Sequence, residues 1–113
     1  MKKNERVKDT REFQKIIETG KYLKNKYYIV HYQDNDLEYD RFGISVSKKL
    51  GNAVFRNKYK RKLRSIIDNY KKNYINHKDY IIILRKEAIN KSFQELEKEF
   101  FALLNKDRKD MNK

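Results

Sequence analysis

Apolar residues along this chain recur with two different periods, and each change of period marks an element boundary. Asp9-x-x-Glu12 reads as a helix start, and Phe13, Ile16 and Ile17 follow as a short stripe that Gly20 ends. Tyr27 to Tyr32 is almost wholly aromatic and β-branched, which predicts a strand, and one more short strand is expected around Tyr22 to Lys24. The acidic run from Asp34 to Asp40 reads as the loop of a hairpin. Beyond it, Arg41 to Ser47 alternates, with Phe42, Ile44 and Val46 on one face and Gly43, Ser45 and Ser47 on the other. Asn52 is the expected N-cap of a long helix running to about Tyr74, its inner side made by Phe55, Tyr59, Leu63, Ile66, Ile67, Tyr70 and Tyr74. Tyr80 to Leu84 is a continuous apolar run of strand length, as a strand covered on both faces requires. Ser92-x-x-Glu95 forms a capping box for a last helix that turns Leu96, Phe100, Leu103 and Leu104 inward.

The order α-β-β-α-β-α, or α-β-β-β-α-β-α with the extra short strand, suggests an α+β sandwich of sheet and helices. With 113 residues and no linker or internal repeat, residues 1–113 form one domain with one modest core. Residues 1–8 and 106–113 are charged and are expected to be loose ends. A charged fraction of 40% alone would suggest disorder, but nine Tyr and six Phe set in periodic apolar runs argue for a folded chain.

Charge then singles out one stretch. From Arg41 to Lys72 there are eleven Lys or Arg against one acid, Asp68, so +10 of the chain's +13 sits there. Lys60 and Arg64 lie four apart and stack on one helix face, with Asn57 and Arg61 beside them and Arg56 near the border of the apolar stripe. Lys48, Lys49 and Gly51 lead into the Asn52 cap, where free N–H groups at the helix start favour phosphate oxygens. A solvated helix usually interleaves Glu with Lys, because like charges at four-residue spacing repel. Keeping that repulsion points to an anionic partner, with nucleic acid the first candidate and an anionic membrane surface the second. A cleft between this helix and the sheet would carry cations on one wall.

Other chemistries find little support. The absence of Cys excludes disulfides, thiolate metal sites and a cysteine nucleophile. His31 and His77 are too few and too far apart to suggest a metal site, and the acids between Asp34 and Asp40 lack the Gly and terminal Glu of an EF-hand loop. Ser45 and Ser47 have no nucleophile elbow or evident base. No apolar run approaches a membrane span, and the charged start leads into no signal core, so cytoplasm is the expected location and no membrane partner is expected. No set of residues forms a catalytic centre.

The run Gly43-Ile44-Ser45-Val46-Ser47-Lys48-Lys49, followed by Gly51-Asn52-Ala53-Val54, Arg56-Asn57-Lys58, Lys60-Arg61 and Arg64, resembles the protein subunit of bacterial ribonuclease P. The likeness extends more loosely from Asn4-Glu5 and Phe13-Gln14-Lys15 to Asp79-Tyr80-Ile81-Ile82-Ile83. It implies a compact fold with a four-stranded mixed sheet, three helices and a left-handed strand-helix-strand crossover through the basic helix, against the usual preference. It also implies a ribonucleoprotein endonuclease in which a large RNA subunit, with Mg²⁺ bound mainly by that RNA, removes the 5′ leader of precursor tRNA. The protein would hold the single-stranded leader and help stabilise the RNA subunit, and no catalytic residue is expected in this chain. By the same resemblance, Lys48, Lys49, Asn52, Arg56, Asn57, Lys58, Lys60, Arg61 and Arg64 face RNA, while Phe13, Ile17, Ile29 and His31 line the leader cleft. Lys58 stands where the family usually has Arg, Ser65 where many members have an acid or amide, and Ile17 and His31 where aromatics are frequent. The runner-up reading is a ribosomal or rRNA-assembly protein using the same basic face. A protein-only nuclease ranks last, since its only acid cluster lies in an expected loop.

Overall fold

Tyr80 to Leu84 occupies the middle of the sheet, where an unbroken apolar run can be covered from both sides. The structure is a computed structural model that describes the backbone of residues 3–111 and the side chains of residues 4–106. Its elements are α1 (Thr10–Thr19), β1 (Lys21–Lys24), β2 (Tyr28–Asp34), β3 (Arg41–Ser45), α2 (Ala53–Lys71), β4 (Lys78–Leu84) and α3 (Phe93–Met111), with short 3-10 turns at Lys3–Glu5, Lys48–Leu50 and Lys86–Ala88. The four-stranded sheet has the order β1-β2-β4-β3. β2 runs antiparallel to β1 and β4, whereas β3 runs parallel to β4, and α2 is the crossover that joins that parallel pair. The mixed sheet with three helices expected from the sequence is therefore present.

The two sheet faces are covered unequally. Tyr28, Val30, Tyr32, Phe42, Tyr80, Ile82 and Leu84 turn toward the inner sides of α2 and α3, and Tyr59, Leu63, Ile66, Ile67, Tyr70, Leu96, Phe100, Leu103 and Leu104 complete that core. On the opposite face α1 alone packs down, placing Ile16 with Val7 and Ile81 in a smaller cluster flanked by Phe13, Ile17 and Ile83. The caps follow the sequence. Asp9 accepts from the Arg11 N–H at 2.8 Å, Asn52 from the Phe55 N–H at 3.0 Å, and the Ser92 hydroxyl from the Glu95 N–H at 3.1 Å. Gly20 is the C-cap of α1, and a Cβ there would lie 2.4 Å from the Tyr32 carbonyl oxygen, so the close approach of strand β2 requires glycine.

Three expectations change. Residues 34–40 are not a hairpin loop, since β4 inserts between β2 and β3, and the loop instead crosses the start of β4. Its acids have work there: Asp40, 2% exposed, accepts the backbone N–H groups of Asn76 at 3.1 Å and Lys78 at 2.8 Å. Described residues of the expected loose start are held. Val7 is buried and donates its N–H to the Phe42 carbonyl at 3.0 Å, Arg6 makes a parallel bridge with Phe42, and Glu5 pairs with Lys71. One apolar residue among charges gives no period to read, so Val7 is silent in the sequence. The long helix ends at Lys71, short of Tyr74, which nevertheless packs face to face with Tyr70 at 4.7 Å. The loose tail expected at 106–113 falls mostly on side chains outside the described residues, while the α3 backbone continues to Met111.

At one end of the α1-covered face, Asp79 is 2% exposed and takes two hydrogen bonds from the Arg41 guanidinium at 2.9 and 2.7 Å and one from the Asn35 amide at 2.9 Å. Arg41 also reaches Glu12 on α1 at 2.7 Å, clamping the helix to the sheet. Burial works to raise the Asp79 pKa, but the Arg41 and Asn35 hydrogen bonds outweigh it and hold the carboxyl below its ordinary range. A depressed folded-state pKa contributes stability that is complete above the unfolded value, about 3.9, and is lost as pH falls through the lower folded value. Asp79→Asn is expected to cost about 3 kcal/mol in urea unfolding at neutral pH by leaving the half-buried Arg41 short of a carboxylate. The gap between the two proteins should narrow as the pH drops below about 4.

Candidate nucleic-acid interface

The start of α2 is built for close approach. Gly51 lies against the Phe55 ring, where a Cβ would meet its carbon at 2.4 Å, so the chain enters the helix tightly over its own first turn. Asn52 spends its side-chain oxygen on the cap, and Ser47 accepts from the Lys49 N–H at 3.2 Å in the preceding 3-10 turn, where Lys48 and Lys49 stand exposed. Burying Tyr59, Leu63, Ile66, Ile67 and Tyr70 fixes the rotation of α2, and with it the direction of its cations. Lys60 and Arg64, half-buried, line a cleft of about 220 Å³ between α2, the β3 edge and the N-terminal segment. Arg6, Lys8, Phe13, Gly43 and Ile44 contribute to its walls.

Gly43 is what brings α1 close. A Cβ there would fall 2.8 Å from the Phe13 ring and 2.9 Å from the Ile81 side chain, so the aromatic ring rests directly on the β3 backbone. Phe13 thus belongs both to the cleft and to the apolar cluster under α1. Among the described residues, Lys48, Lys49, Arg56, Lys58, Lys60, Arg61 and Arg64 have no carboxylate within 4 Å; the ion pair on α2 is Lys71 with Glu5. Arg6 and Arg56 each keep a buried Nε without a hydrogen-bond partner. Buried polar donors are ordinarily satisfied, so Arg6, which lines the cleft, fits a site that an anion completes, whereas Arg56 does not line it. The face is positive, unneutralised and concave.

The remaining sequence-derived positions divide. Asn57 and Arg61 are exposed on the outer side of α2 and do not line the cleft. Lys58, also exposed, lies about 100° around the helix from Asn57, on the side away from Lys60. Ile17 on α1 and Ile29 and His31 on β2 share the sheet face with Phe13 but sit beyond the 220 Å³ cleft, toward β1. His31 is half-buried, burial lowers its pKa, and its buried Nδ1 has no hydrogen-bond partner among the described residues. Arg6 and Lys8 were missed by reading 1–8 as loose; the alternation Arg6-Val7-Lys8, with one apolar residue between two cations, is the only signal they offered.

Among the described residues no three His, Asp or Glu side chains gather where they could hold an ion. Asp34 is paired with Lys78 at 2.7 Å and Asp40 is occupied by backbone N–H groups. No helix among the described residues is long and apolar enough to cross a membrane. A larger hollow of about 460 Å³ beside Thr19, Lys21 and Tyr32 contains that Asp34–Lys78 pair, which leaves Lys21 as its surplus cation, against the four cations Arg6, Lys8, Lys60 and Arg64 of the α2 cleft.

Comparison with known proteins returns one family and one fold. The Ribonuclease P family model matches residues 1–107. A ribonuclease P protein component of Streptococcus pneumoniae is 40% identical over 104 residues, covering 92% of this chain and 85% of the relative. That of Syntrophomonas wolfei is 36% identical over 104 residues, covering 92% and 87%. Among solved structures, a Staphylococcus aureus RNase P protein mutant with defective mRNA degradation activity superposes with a TM-score of 0.86 at 36% identity, covering 94% of this chain and 90% of that one. The RNase P protein of Thermotoga maritima gives a TM-score of 0.79 at 33% identity, covering 85% and 91%.

Because Lys60 and Arg64 have no carboxylate within 4 Å among the described residues, their charges add no ion pair to the folded state. The double substitution Lys60→Gln, Arg64→Gln is expected to leave the urea midpoint unchanged or to raise stability by a few tenths of a kcal/mol through relief of like-charge repulsion. A clear loss of stability would assign these cations a structural role.

Proposed function

Since this chain belongs to the ribonuclease P protein family, we propose that its α2 cleft and the α1-covered sheet face hold the single-stranded 5′ leader of precursor tRNA while a separate RNA subunit performs the cleavage. Proteins of this family are the protein component of a ribonucleoprotein endoribonuclease that works with a ribonuclease P RNA in tRNA 5′ processing. The observation that carries the proposal is the pairing, in one cleft, of unneutralised Lys60 and Arg64 with the Phe13 ring over Gly43. Cations track a phosphate backbone and an aromatic face accepts a base of any identity, the combination that single-strand binding uses.

In this reading the chain positions and the RNA reacts. Lys60 and Arg64 on one wall and Arg6 and Lys8 on the other neutralise successive phosphates, which offsets the repulsion of bringing a leader beside a polyanionic RNA. Phe13, Ile17 and Ile29 provide apolar surface for bases, with His31 beside them. Lys48, Lys49, Asn57, Lys58 and Arg61, turned outward, are the groups free to meet the RNA subunit. The reaction is hydrolysis of one phosphodiester, with water adding across it to release the leader and leave a 5′-phosphate on the mature end. Mg²⁺ belongs with the RNA subunit, and no step is assigned to a metal on this chain.

Reconstitution tests the proposal. With the RNA subunit present at low Mg²⁺, adding the protein should raise precursor tRNA cleavage, and the protein alone should cleave nothing; activity indifferent to the protein would overturn it. Neutralising Lys60 or Arg64 should lower the slope of log K against log [salt] for a leader-bearing precursor by about 0.7 each, with little change for mature tRNA. An unchanged slope in both would remove those side chains from the phosphates.

A further inference from the structure

We propose that Tyr22 and Lys24 on the edge strand β1 form a nucleotide subsite that continues the single-strand path beyond α1, Tyr22 stacking on a base and Lys24 meeting a neighbouring phosphate. The inference rests on the leader-binding reading above and extends it to a strand that none of the sequence-derived site residues occupies. Tyr22 is directly opposite His31, which is opposite Ile81, which is opposite Gly43. These four therefore point to one face in one row, which begins under Phe13 beside the cationic cleft and ends at Tyr22. Three strand spacings make that row about 14 Å long. Its neighbour on the same face runs Lys24, Ile29, Ile83 and Ser45, all but Lys24 half-buried. α1 packs on β2 and β4, so the β1 end of both rows stays open.

Tyr22 is unusual within this molecule. Of nine tyrosines it alone is exposed, at 64%, while the others are buried or half-buried. The ring leans on His31 with centroids 5.9 Å apart at 45°, which props one side and leaves the other to solvent. A propped aromatic with a free face is what base stacking needs, at little ordering cost. Charge agrees. Lys26 is engaged with Glu99 at 3.6 Å, but Lys24, two residues from Tyr22 on the same face, has no carboxylate within 4 Å among the described residues.

A bland alternative is that Tyr22 is a good strand former paired with His31. Tyr22→Leu keeps an apolar side chain on the edge, and Tyr22→Phe keeps the ring, so the pair separates stacking from strand formation. The experiment measures binding of precursor tRNAs, their leaders lengthened one nucleotide at a time, to holoenzyme reconstituted with the RNA subunit. Wild type and Tyr22→Phe should gain affinity until the path is filled. Tyr22→Leu should level off at a shorter leader and bind longer ones about fivefold or more weakly. Removing the single base that stacks on Tyr22 should weaken wild type by a similar factor and leave Tyr22→Leu unaffected, the coupling expected of direct contact. Lys24→Gln should reduce the salt slope by about 0.7 for long leaders only. Tyr22→Leu tracking wild type at every leader length, or weakening mature tRNA equally, would overturn the subsite. If wild type itself ignored leader length, the leader reading would fall, a result distinguishable because no variant is needed to see it.

Discussion

β4 has to be covered on both faces, and the rest of the molecule follows from how that is done. Its antiparallel partner β2 and parallel partner β3 flank it, so the chain must cross from β3 to β4 over one face, and α2 makes that crossing. α3 joins α2 on this side and closes the main core. The other face receives the ten residues of α1, which pack on β2 and β4, and Val7 of the N-terminal segment. An incompletely covered sheet face, bordered by the outward side of α2, is the geometric origin of the cleft. Shortage of helix on one side is what leaves room for a ligand.

Electrostatics works in the same direction. Acids are used where the fold needs them: Asp79 with Arg41, Asp40 with the backbone of the α2–β4 loop, Glu99 with Lys26 and Asn25, and Glu97 with Asn69. None is spent on the first three turns of α2. The division leaves a molecule whose carboxylates are largely structural and whose central cations are largely free. Such a surface attracts polyanions over distances of the order of a Debye length, about 8 Å at physiological salt, and loses that attraction as salt rises.

Much of this was legible in the chain. The amphipathic stripe of α2, the Asn52 cap, the Ser92–Glu95 box and the doubly buried β4 each rest on local pattern, and all appear where the pattern put them. The strand order was not legible from Asp34 to Asp40, because a turn-rich acidic segment looks the same whether it joins neighbours or steps over a strand. Arg6 and Lys8 escaped for a different reason: their position depends on one residue, Val7, finding the β3 edge, a long-range contact without periodicity. Phe13 at the cleft was legible as an apolar residue, but its closeness to Gly43 needed the packing of α1 on the sheet.

The bridge between Arg6 and Phe42 has one more effect. A twisted sheet of this size would otherwise present two rows of unsatisfied backbone groups, each a template on which a second copy could extend the ladder. The N-terminal segment shields part of one row along β3, and the other belongs to β1, four residues long with lysines at both ends. Short length and positive charge both discourage intermolecular β-pairing along that edge.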